Sequence, residues 1–256
     1  MQYVKYEEPE PYIVVISMDR PERLNAWGSR MLADLEEAFC RFDDDPQARV
    51  AVLRGEGRAF CAGADVKEWA ETGQPRLAPP GRRVFTSDWG TPELRKPVVA
   101  AVHGYCLGAG LNLCLLRCDI RIAGEGTKFG MPEVARGILD LATPFGYQNI
   151  PYCFIAELCF TADMVSAERA HHFGLVNMVV PDAQVLPTAM DVARRIARHP
   201  PSAIQFTKAN LLKTLEPPAA AFPYEQYLRQ QSFYSPEARE GMRAWVERQE
   251  RRGSGA

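Results

Sequence analysis

The chain has 256 residues, of which 46% are hydrophobic and 24% are charged. This balance excludes a disordered or collagen-like chain, and the length fits one large domain or one domain with a small appendage. Lys and Arg number 30 against 32 Asp and Glu, so the formal net charge of -2 gives no basic surface for nucleic acid or an anionic membrane.

The sequence shows no targeting or membrane segment. The stretch 1–11 is acidic and contains prolines, unlike a signal or transit peptide, and no run of about 18 apolar residues follows. The cysteines are odd in number and mostly lie in apolar stretches, which indicates buried free thiols rather than disulfides. We therefore expect a cytoplasmic protein. No metal site is expected, because Cys114 and Cys118 lack a second Cys or His pair.

The first predicted elements are a strand and a helix. Residues 12–18 are largely β-branched and apolar, and Ser29 is the candidate N-cap of the helix that follows. The acidic residues 43–45 and Pro46 are expected to end this helix on a solvated surface. Between these ends, apolar residues recur at helical spacing: Met31, Leu32, Leu35, Phe39 and Phe42.

Two loops of small residues come next, each between a strand and a helix. Loop 55–65 follows a predicted strand at 50–53, and loop 104–110 follows one at 97–103. The helices predicted after them are 66–71 and 111–116. Strands that alternate with helices predict an α/β fold. Two N–H groups from such helix starts would form an oxyanion hole if they met at one oxygen, although small residues also simply permit tight packing.

The last part of the sequence is helical, and common nucleotide and hydrolase motifs are absent. There is no P-loop, no Rossmann glycine spacing and no G-x-S-x-G. His171 and His172 indicate a helix end before a strand rather than a metal site. Apolar residues at helical spacing predict four helices: 189–198, 202–212, 224–233 and 237–248.

Five motifs, in order along the chain, resemble those of the crotonase superfamily, the enoyl-CoA hydratase/isomerase family. The resemblance extends over about residues 10–215 and is specific because five separate motifs agree. The motifs are RPERLNA at 20–26, RAFCAGADVKE at 58–68, PVVAAVHGYCLGAG at 97–110 with CDIRIA at 118–123, FGMPE at 129–133, and the stretch 167–180 that ends in GLVNMVV.

The resemblance implies an α/β fold in which repeated ββα units form a spiral, followed by a helical C-terminal region. The spiral core would span 1–195 and hold the coenzyme A and catalytic site, and 196–256 would form a helical trimerisation region. Family members assemble as homotrimers or as hexamers that are dimers of trimers. They bind acyl-CoA thioesters without a permanently bound cofactor, because coenzyme A arrives as part of the substrate. No nucleic-acid or membrane partner is expected.

The resemblance also assigns the residues that bind the thioester. Its carbonyl oxygen would lie between the backbone N–H groups of Ala64 and Ala109, which stabilise an enolate. Arg23 and Leu24 lie where relatives hold the adenine end, and Arg23 and Lys67 are either cations for the phosphates or solvated surface residues. The residues that would flank the pantetheine arm are Ala62, Ala64, Asp65, Val66 and Lys67.

Proton transfer is expected from Glu133. Hydratases of this family use two glutamates, and Asn112 stands at the position of the first. An amide cannot take up a proton, although it can position water or substrate, whereas Glu133 keeps the carboxyl group that acid–base chemistry needs. One carboxylate suffices to move a double bond from the 3,4 to the 2,3 position. The sequence therefore favours isomerisation, with hydration close behind.

Asp140 opens an alternative. The stretch 138–146 departs from the family pattern, and Asp140 lies near the place where dienoyl-CoA isomerases and aroyl-CoA dehalogenases of the superfamily carry a functional aspartate. It would be a second acid, the nucleophile of an acyl-CoA hydrolase or dehalogenase, or a loop residue. A non-catalytic or RNA-associated family member is a further alternative, for which the net charge of -2 offers no general basic surface.

Overall fold

The structure is a computed structural model that describes residues 1–68, 94–136 and 150–213. Contacts between Cα atoms divide the chain into two compact units, Met1–Arg194 and Arg195–Ala256. The first unit contains the described strands. The assignment of a catalytic role to 1–195 and of a trimerisation role to 196–256 stays a prediction.

Two sheets hold the strands of the described ranges. These strands are β1 (Val4–Glu10), β2 (Ile13–Met18), β3 (Val50–Gly55), β4 (Val98–Val102), β5 (Tyr105–Leu107), β6 (Ile120–Gly124), β7 (Lys128–Gly130), β8 (Val165–Ser166) and β9 (Met178–Val180). The larger sheet has the order β1-β2-β3-β4-β6-β9, and the smaller one has the order β5-β7-β8. In the larger sheet β1 is antiparallel to β2, and all later neighbours are parallel.

Helices connect the strands in the repeated pattern that the resemblance implies. The α-helices are α1 (Ser29–Asp44), α2 (Ala109–Arg117), α3 (Tyr152–Thr161), α4 (Ala167–His172), α5 (Val185–Ala197) and α6 (Pro201–Lys213). β4, β5 and α2 form one ββα unit that contributes a strand to each sheet, and β6 and β7 begin the next. α5 and α6 occur where helices are predicted, whereas the predicted helices 224–233 and 237–248 lie outside the described residues.

The apolar face predicted for α1 is buried against the larger sheet. Met31, Leu35, Phe39 and Phe42 have no exposed surface, and they join alternate residues of β2 and β3 in one hydrophobic cluster. Because α1 connects the end of β2 with the start of the parallel strand β3, its N-terminus lies at the edge where both strands end. This is the edge at which the small-residue loops leave the sheet.

α1 ends within the acidic stretch 43–45 as predicted, but its N-cap and the environment of Asp43 differ from the prediction. Ser29 is the first helical residue, and the N-cap is Gly28, which offers no side chain. The Glu68 carboxylate caps the helix instead, because it accepts hydrogen bonds from Ser29 N–H at 3.2 Å and Ser29 Oγ at 2.6 Å. At the other end Asp43 is buried rather than solvated, because Arg95 donates to it from its backbone N–H and its guanidinium.

Strand β1 and the exposure of one cysteine also differ from the sequence prediction. β1 is not predicted, because Pro9 and charged residues interrupt its apolar pattern; an edge strand tolerates both. The expectation of buried thiols holds for Cys61, Cys106, Cys114 and Cys118, whereas Cys153 is exposed.

Candidate active site

The two small-residue loops meet beyond the ends of β3 and β4. These strands are parallel neighbours, so the chain leaves both at the same edge of the sheet. Cys61 and Cys106 then form an isolated bridge. Cys61 N–H donates to the Tyr105 carbonyl at 2.9 Å, and Leu107 N–H donates to the Cys61 carbonyl at 2.9 Å. The loops are therefore held together by backbone hydrogen bonds.

The N–H group of Ala64 points away from the hydrogen bonds that hold its loop. Ala64 is bridged to Trp27: Trp27 N–H donates to the Gly63 carbonyl at 2.8 Å, and Asp65 N–H donates to the Trp27 carbonyl at 2.8 Å. Because successive residues of an extended chain direct their backbone groups to opposite sides, the Ala64 N–H faces the other way. Within 1–68, 94–136 and 150–213 it donates to no acceptor.

The N–H group of Ala109 is also available. Ala109 is the first residue of α2, and the earliest bond along this helix runs from Asn112 N–H to the Gly108 carbonyl at 2.9 Å. A helix leaves its first N–H groups without an internal acceptor, and the described residues supply none for Ala109. The Ala109 nitrogen lies 3.9 Å from the position that a Cβ at Gly63 would occupy. The second donor therefore borders the first loop.

Glu133 lies against the start of α2. Pairing of β5 with β7 sets Leu107 beside Gly130, and Gly108 N–H donates to the Gly130 carbonyl at 2.9 Å. The chain that continues from β7 brings the Glu133 carboxylate onto Gly108, where a Cβ would collide with Oε1. Gly108 also has a φ of 48°, which favours glycine. A carboxylate thus lies next to the residue that carries the second N–H donor.

A cavity of about 310 Å³ opens over the first loop and the start of α2. All seven residues predicted to bind coenzyme A line it, and so do Gly108 and Glu133. The seven are Arg23, Leu24, Ala62, Ala64, Asp65, Val66 and Lys67. Asn112 is buried with 5% exposure and, like Ala109, is not among the described residues that line the cavity. Asp140 lies outside the described residues.

Asp65 lines the cavity, but its carboxylate is occupied within the protein. Oδ2 accepts a hydrogen bond from Arg20 Nη1 at 2.8 Å, and Oδ1 accepts the N–H groups of Lys67 and Glu68 at 3.2 and 3.1 Å. Burial alone would raise the pKa of Asp65, but the hydrogen bond from Glu68 and the positive charge of Arg20 lower it overall. Asp65 therefore caps the helical turn after Ala64 and fixes the shape of the loop.

Among the described residues that line the cavity, three are cations, and one of them, Arg58, is not among the residues predicted to bind coenzyme A. Arg58 and Lys67 are exposed, and Arg23 is half-buried. Arg23 Nη1 is buried and meets no hydrogen-bond acceptor in the described part of the chain. Arg58 opens the RAFCAGADVKE motif, so its charge beside the loop is the signal that could have identified it. Arg20, which holds Asp65, likewise opens the RPERLNA motif at 20–26.

Over the described ranges, no cluster of three or more His, Cys, Asp or Glu side chains is arranged to hold a metal ion. None of the described helices has the length and apolar character needed to cross a membrane.

Comparisons with known proteins agree with the fold and the motifs. A profile of the enoyl-CoA hydratase/isomerase family matches residues 8–252. The mevalonyl-coenzyme A hydratase sidH of Aspergillus fumigatus is 33% identical to this chain over 94% of it and 90% of the relative. A (7aS)-7a-methyl-1,5-dioxo-2,3,5,6,7,7a-hexahydro-1H-indene-carboxyl-CoA hydrolase of Mycobacterium tuberculosis is 38% identical over 79% of this chain and 81% of that protein.

A solved structure supports the same assignment. The crystal structure of enoyl-CoA hydratase from Mycobacterium tuberculosis H37Rv superimposes with a TM-score of 0.87 at 32% identity, covering 97% of both chains. The chain thus shares its fold with a protein named an enoyl-CoA hydratase, and it resembles that protein over nearly its whole length. The chain belongs to the enoyl-CoA hydratase/isomerase family of the crotonase superfamily.

Proposed function

We propose that this chain acts on an acyl-CoA thioester whose carbonyl oxygen accepts hydrogen bonds from the N–H groups of Ala64 and Ala109. When a proton leaves or joins the acyl chain beside the thioester, negative charge develops on this oxygen. Preorganised N–H donors stabilise such charge, and one donor contributes about 3 kcal/mol in the transition state. The observation that carries the proposal is the pair of available N–H groups at adjoining loops.

Glu133 is the group that moves the proton in this proposal. The cavity is also lined by the carboxylates of Glu22 and Asp65, but Glu22 is exposed and Asp65 is bound to Arg20. Glu133 lies against Gly108, next to Ala109, and therefore close to the place of the thioester carbonyl. General acid–base catalysis requires such proximity before it requires a tuned pKa.

Coenzyme A extends along the cavity as part of the substrate. Leu24, Ala62 and Val66 offer apolar surface to the pantetheine arm, and Arg23 and Lys67 offer positive charge to the phosphates. Arg58 is a further cation among the described residues that line the cavity. Hydrogen bonds between charged donors and phosphate oxygens are stronger than those between neutral groups.

Double-bond isomerisation is the reaction that fits a single carboxylate. Glu133 takes a proton from C2 of a 3-enoyl-CoA, the N–H pair holds the resulting enolate, and Glu133 returns the proton at C4. Asn112 supplies no second carboxylate at its position. Hydration of a 2-enoyl-CoA is the second candidate, because several relatives are named hydratases.

The test is the replacement Glu133→Gln. We expect kcat to fall about 10²-fold or more, because the amide cannot carry the proton, while the dissociation constant for the CoA thioester stays unchanged. Turnover is measured separately with 3-enoyl-CoA and 2-enoyl-CoA by the absorbance of the conjugated thioester. The control Glu157→Gln removes a carboxylate that pairs with Arg169 on the surface. Unchanged turnover in Glu133→Gln contradicts the role of Glu133.

Hydrolysis is distinguished from both reactions by its product. One relative is named a hydrolase of an indene-carboxyl-CoA, and Asp140 is the candidate nucleophile if this chain hydrolyses the thioester itself. Thioester hydrolysis releases free coenzyme A, which a thiol reagent detects, and a covalent acyl-enzyme at Asp140 is identified by mass spectrometry. The proposed isomerase or hydratase releases no free coenzyme A. RNA association is tested beside these assays by titration with labelled RNA, to which we expect no binding.

Assembly as a homotrimer or as a dimer of trimers is proposed from the same family resemblance. Light scattering at micromolar concentration is expected to give a mass of three or six subunits of 28.6 kDa. A monomer at that concentration contradicts the assembly without affecting the proposed chemistry.

A further inference from the structure

Asn25 is a buried polar residue in an unusual backbone conformation, and no step of the proposed reaction uses it. Its side chain has no exposed surface. Its φ is 56° and that of the preceding Leu24 is 51°, so two successive residues other than glycine are left-handed. Asparagine tolerates this conformation better than most residues, but a pair of this kind persists only where its surroundings hold it.

Hydrogen bonds of the Asn25 side-chain amide hold this turn in place. Oδ1 accepts a hydrogen bond from Arg20 N–H at 2.8 Å, which closes the turn on itself. Nδ2 donates to the Glu56 carbonyl at 2.9 Å and to the Ala59 carbonyl at 2.8 Å. One side chain therefore fastens segment 20–27 to the chain that leaves β3. A carboxamide supplies the one acceptor oxygen and the two donor hydrogens that these three hydrogen bonds require.

Segment 20–27 is in turn the support of the loop that carries Ala64. Ala62 N–H donates to the Leu24 carbonyl at 3.0 Å, and the bridge between Trp27 and Ala64 continues this contact. The Gly63 carbonyl and the Asp65 N–H face Trp27, and this pairing directs the Ala64 N–H between them to the opposite side. A shift of segment 20–27 would therefore rotate that N–H group.

We infer that Asn25 is a positioning residue for the oxyanion hole, acting through segment 20–27 on the direction of the Ala64 N–H. The inference rests on the proposed function, because it gives the Ala64 N–H its role. Displacing a reacting group by about 1 Å costs up to about 10²-fold in rate. The affinity for coenzyme A depends on many contacts along the cavity, so it changes much less than the rate.

The test compares Asn25→Asp with the wild type. Aspartate keeps the left-handed conformation and the acceptor for Arg20 N–H, but it loses both donors and turns a negative charge towards two carbonyls. We expect kcat to fall about 10-fold or more, with less than about a threefold change in the dissociation constant for coenzyme A. A second readout is the absorbance of bound 4-(dimethylamino)cinnamoyl-CoA. This band shifts to the red when the thioester carbonyl is polarised, and the shift is expected to shrink.

Asn25→Gly provides a second variant if the aspartate protein does not fold. Glycine keeps the backbone conformation and removes all three side-chain hydrogen bonds, so the same changes in kcat and in the red shift are expected. Hydrogen exchange is expected to be faster in peptides covering 62–66, because the loop loses its support.

Asp43→Ala is the matched control. It removes another buried side chain that fastens two segments, but Asp43 lies near the C-terminal end of α1 and is not among the described residues that line the cavity. A loss of stability with unchanged kcat and red shift is expected. The inference is overturned if the folded Asn25 variants keep the wild-type kcat and red shift. A wild type that binds the chromophore without any red shift instead overturns the proposed oxyanion hole, which is a distinguishable outcome.

Discussion

Gly108 determines how closely Glu133 approaches the second N–H donor. Its φ of 48° disfavours any residue with a side chain, and a Cβ there would collide with Glu133 Oε1. We expect Gly108→Ala to displace the carboxylate and to lower kcat at least about 10-fold. The backbone strain lowers the free energy of unfolding by about 1–3 kcal/mol. Steady-state kinetics and urea unfolding measure the two effects.

The substitution Gly174→Ala separates the effect of backbone strain on stability from the effect of the displaced carboxylate on kcat. Gly174 has a φ of 77° in the turn after α4, but a Cβ there meets nothing within 4 Å. Gly174→Ala is therefore expected to lower stability through backbone strain alone and to leave kcat unchanged. If Gly108→Ala and Gly174→Ala give the same kcat, the collision with Glu133 has no catalytic consequence and the placement of the carboxylate is wrong.

Two contacts at single residues of the site could not be predicted from the sequence. The sequence contains the glycine loop and the Pro-Glu pair as separate motifs, and the family resemblance suggests a role for each. Contact between Gly108 and Glu133 depends on the pairing of β5 with β7, and strands of three residues are too short for periodicity to reveal. Asp65 is predicted to bind coenzyme A, but its carboxylate is held by Arg20, 45 positions earlier in the chain.

The N-terminus of α1 depends on a side chain from a different segment. Gly28 offers no capping side chain, and the Glu68 carboxylate accepts the Ser29 N–H and hydroxyl in its place. A negative charge at this end also interacts favourably with the helix dipole. We expect Glu68→Ala to lower the free energy of unfolding by about 1 kcal/mol, as measured by urea denaturation.

Glu37→Ala provides the control for this change. Glu37 lies in the same helix with a side chain that is 60% exposed, and its partner, the N-terminal amino group, is 3.9 Å away. Surface ion pairs contribute little, so the change in stability should stay within about 0.5 kcal/mol. Equal losses in the two variants would mean that Glu68 does not cap α1.

Elements with a strong pattern could be predicted from the sequence, and those that depend on distant partners could not. The apolar spacing of α1 and the β-branched run of β2 are local signals, and both elements form as predicted. The ends of α1 depend on Glu68 and Arg95, which lie 39 and 52 positions from their partners. α2 begins at Ala109, two residues before the predicted helix, because Gly108 turns the chain directly into it.

Four thiols pack beneath the meeting point of the two loops. Cys61 belongs to the first loop, Cys106 to β5, and Cys114 to α2, with Cys118 directly after that helix. The Sγ atoms of Cys106 and Cys114 are 3.8 Å apart. This region of the core therefore joins the elements that carry both N–H donors, and its integrity reports on the fold of the whole first unit.

The reactivity of these thiols towards a labelling reagent reports whether this part of the core is intact. Burial raises the pKa of Cys61 to about 12 and raises the pKa of the other three, so all four stay protonated and shielded in the folded protein. At pH 8 we expect a thiol reagent to label the exposed Cys153 quickly, and the four buried thiols only on unfolding. Peptide mass spectrometry identifies the labelled positions. Rapid labelling of Cys106 or Cys114 under native conditions would contradict the packing under the site.

The same pKa shifts make the stability of the protein depend on pH. The unfolded thiols ionise near pH 9, whereas the buried thiols of the folded protein do not. The free energy of unfolding should therefore fall as the pH rises above about 9.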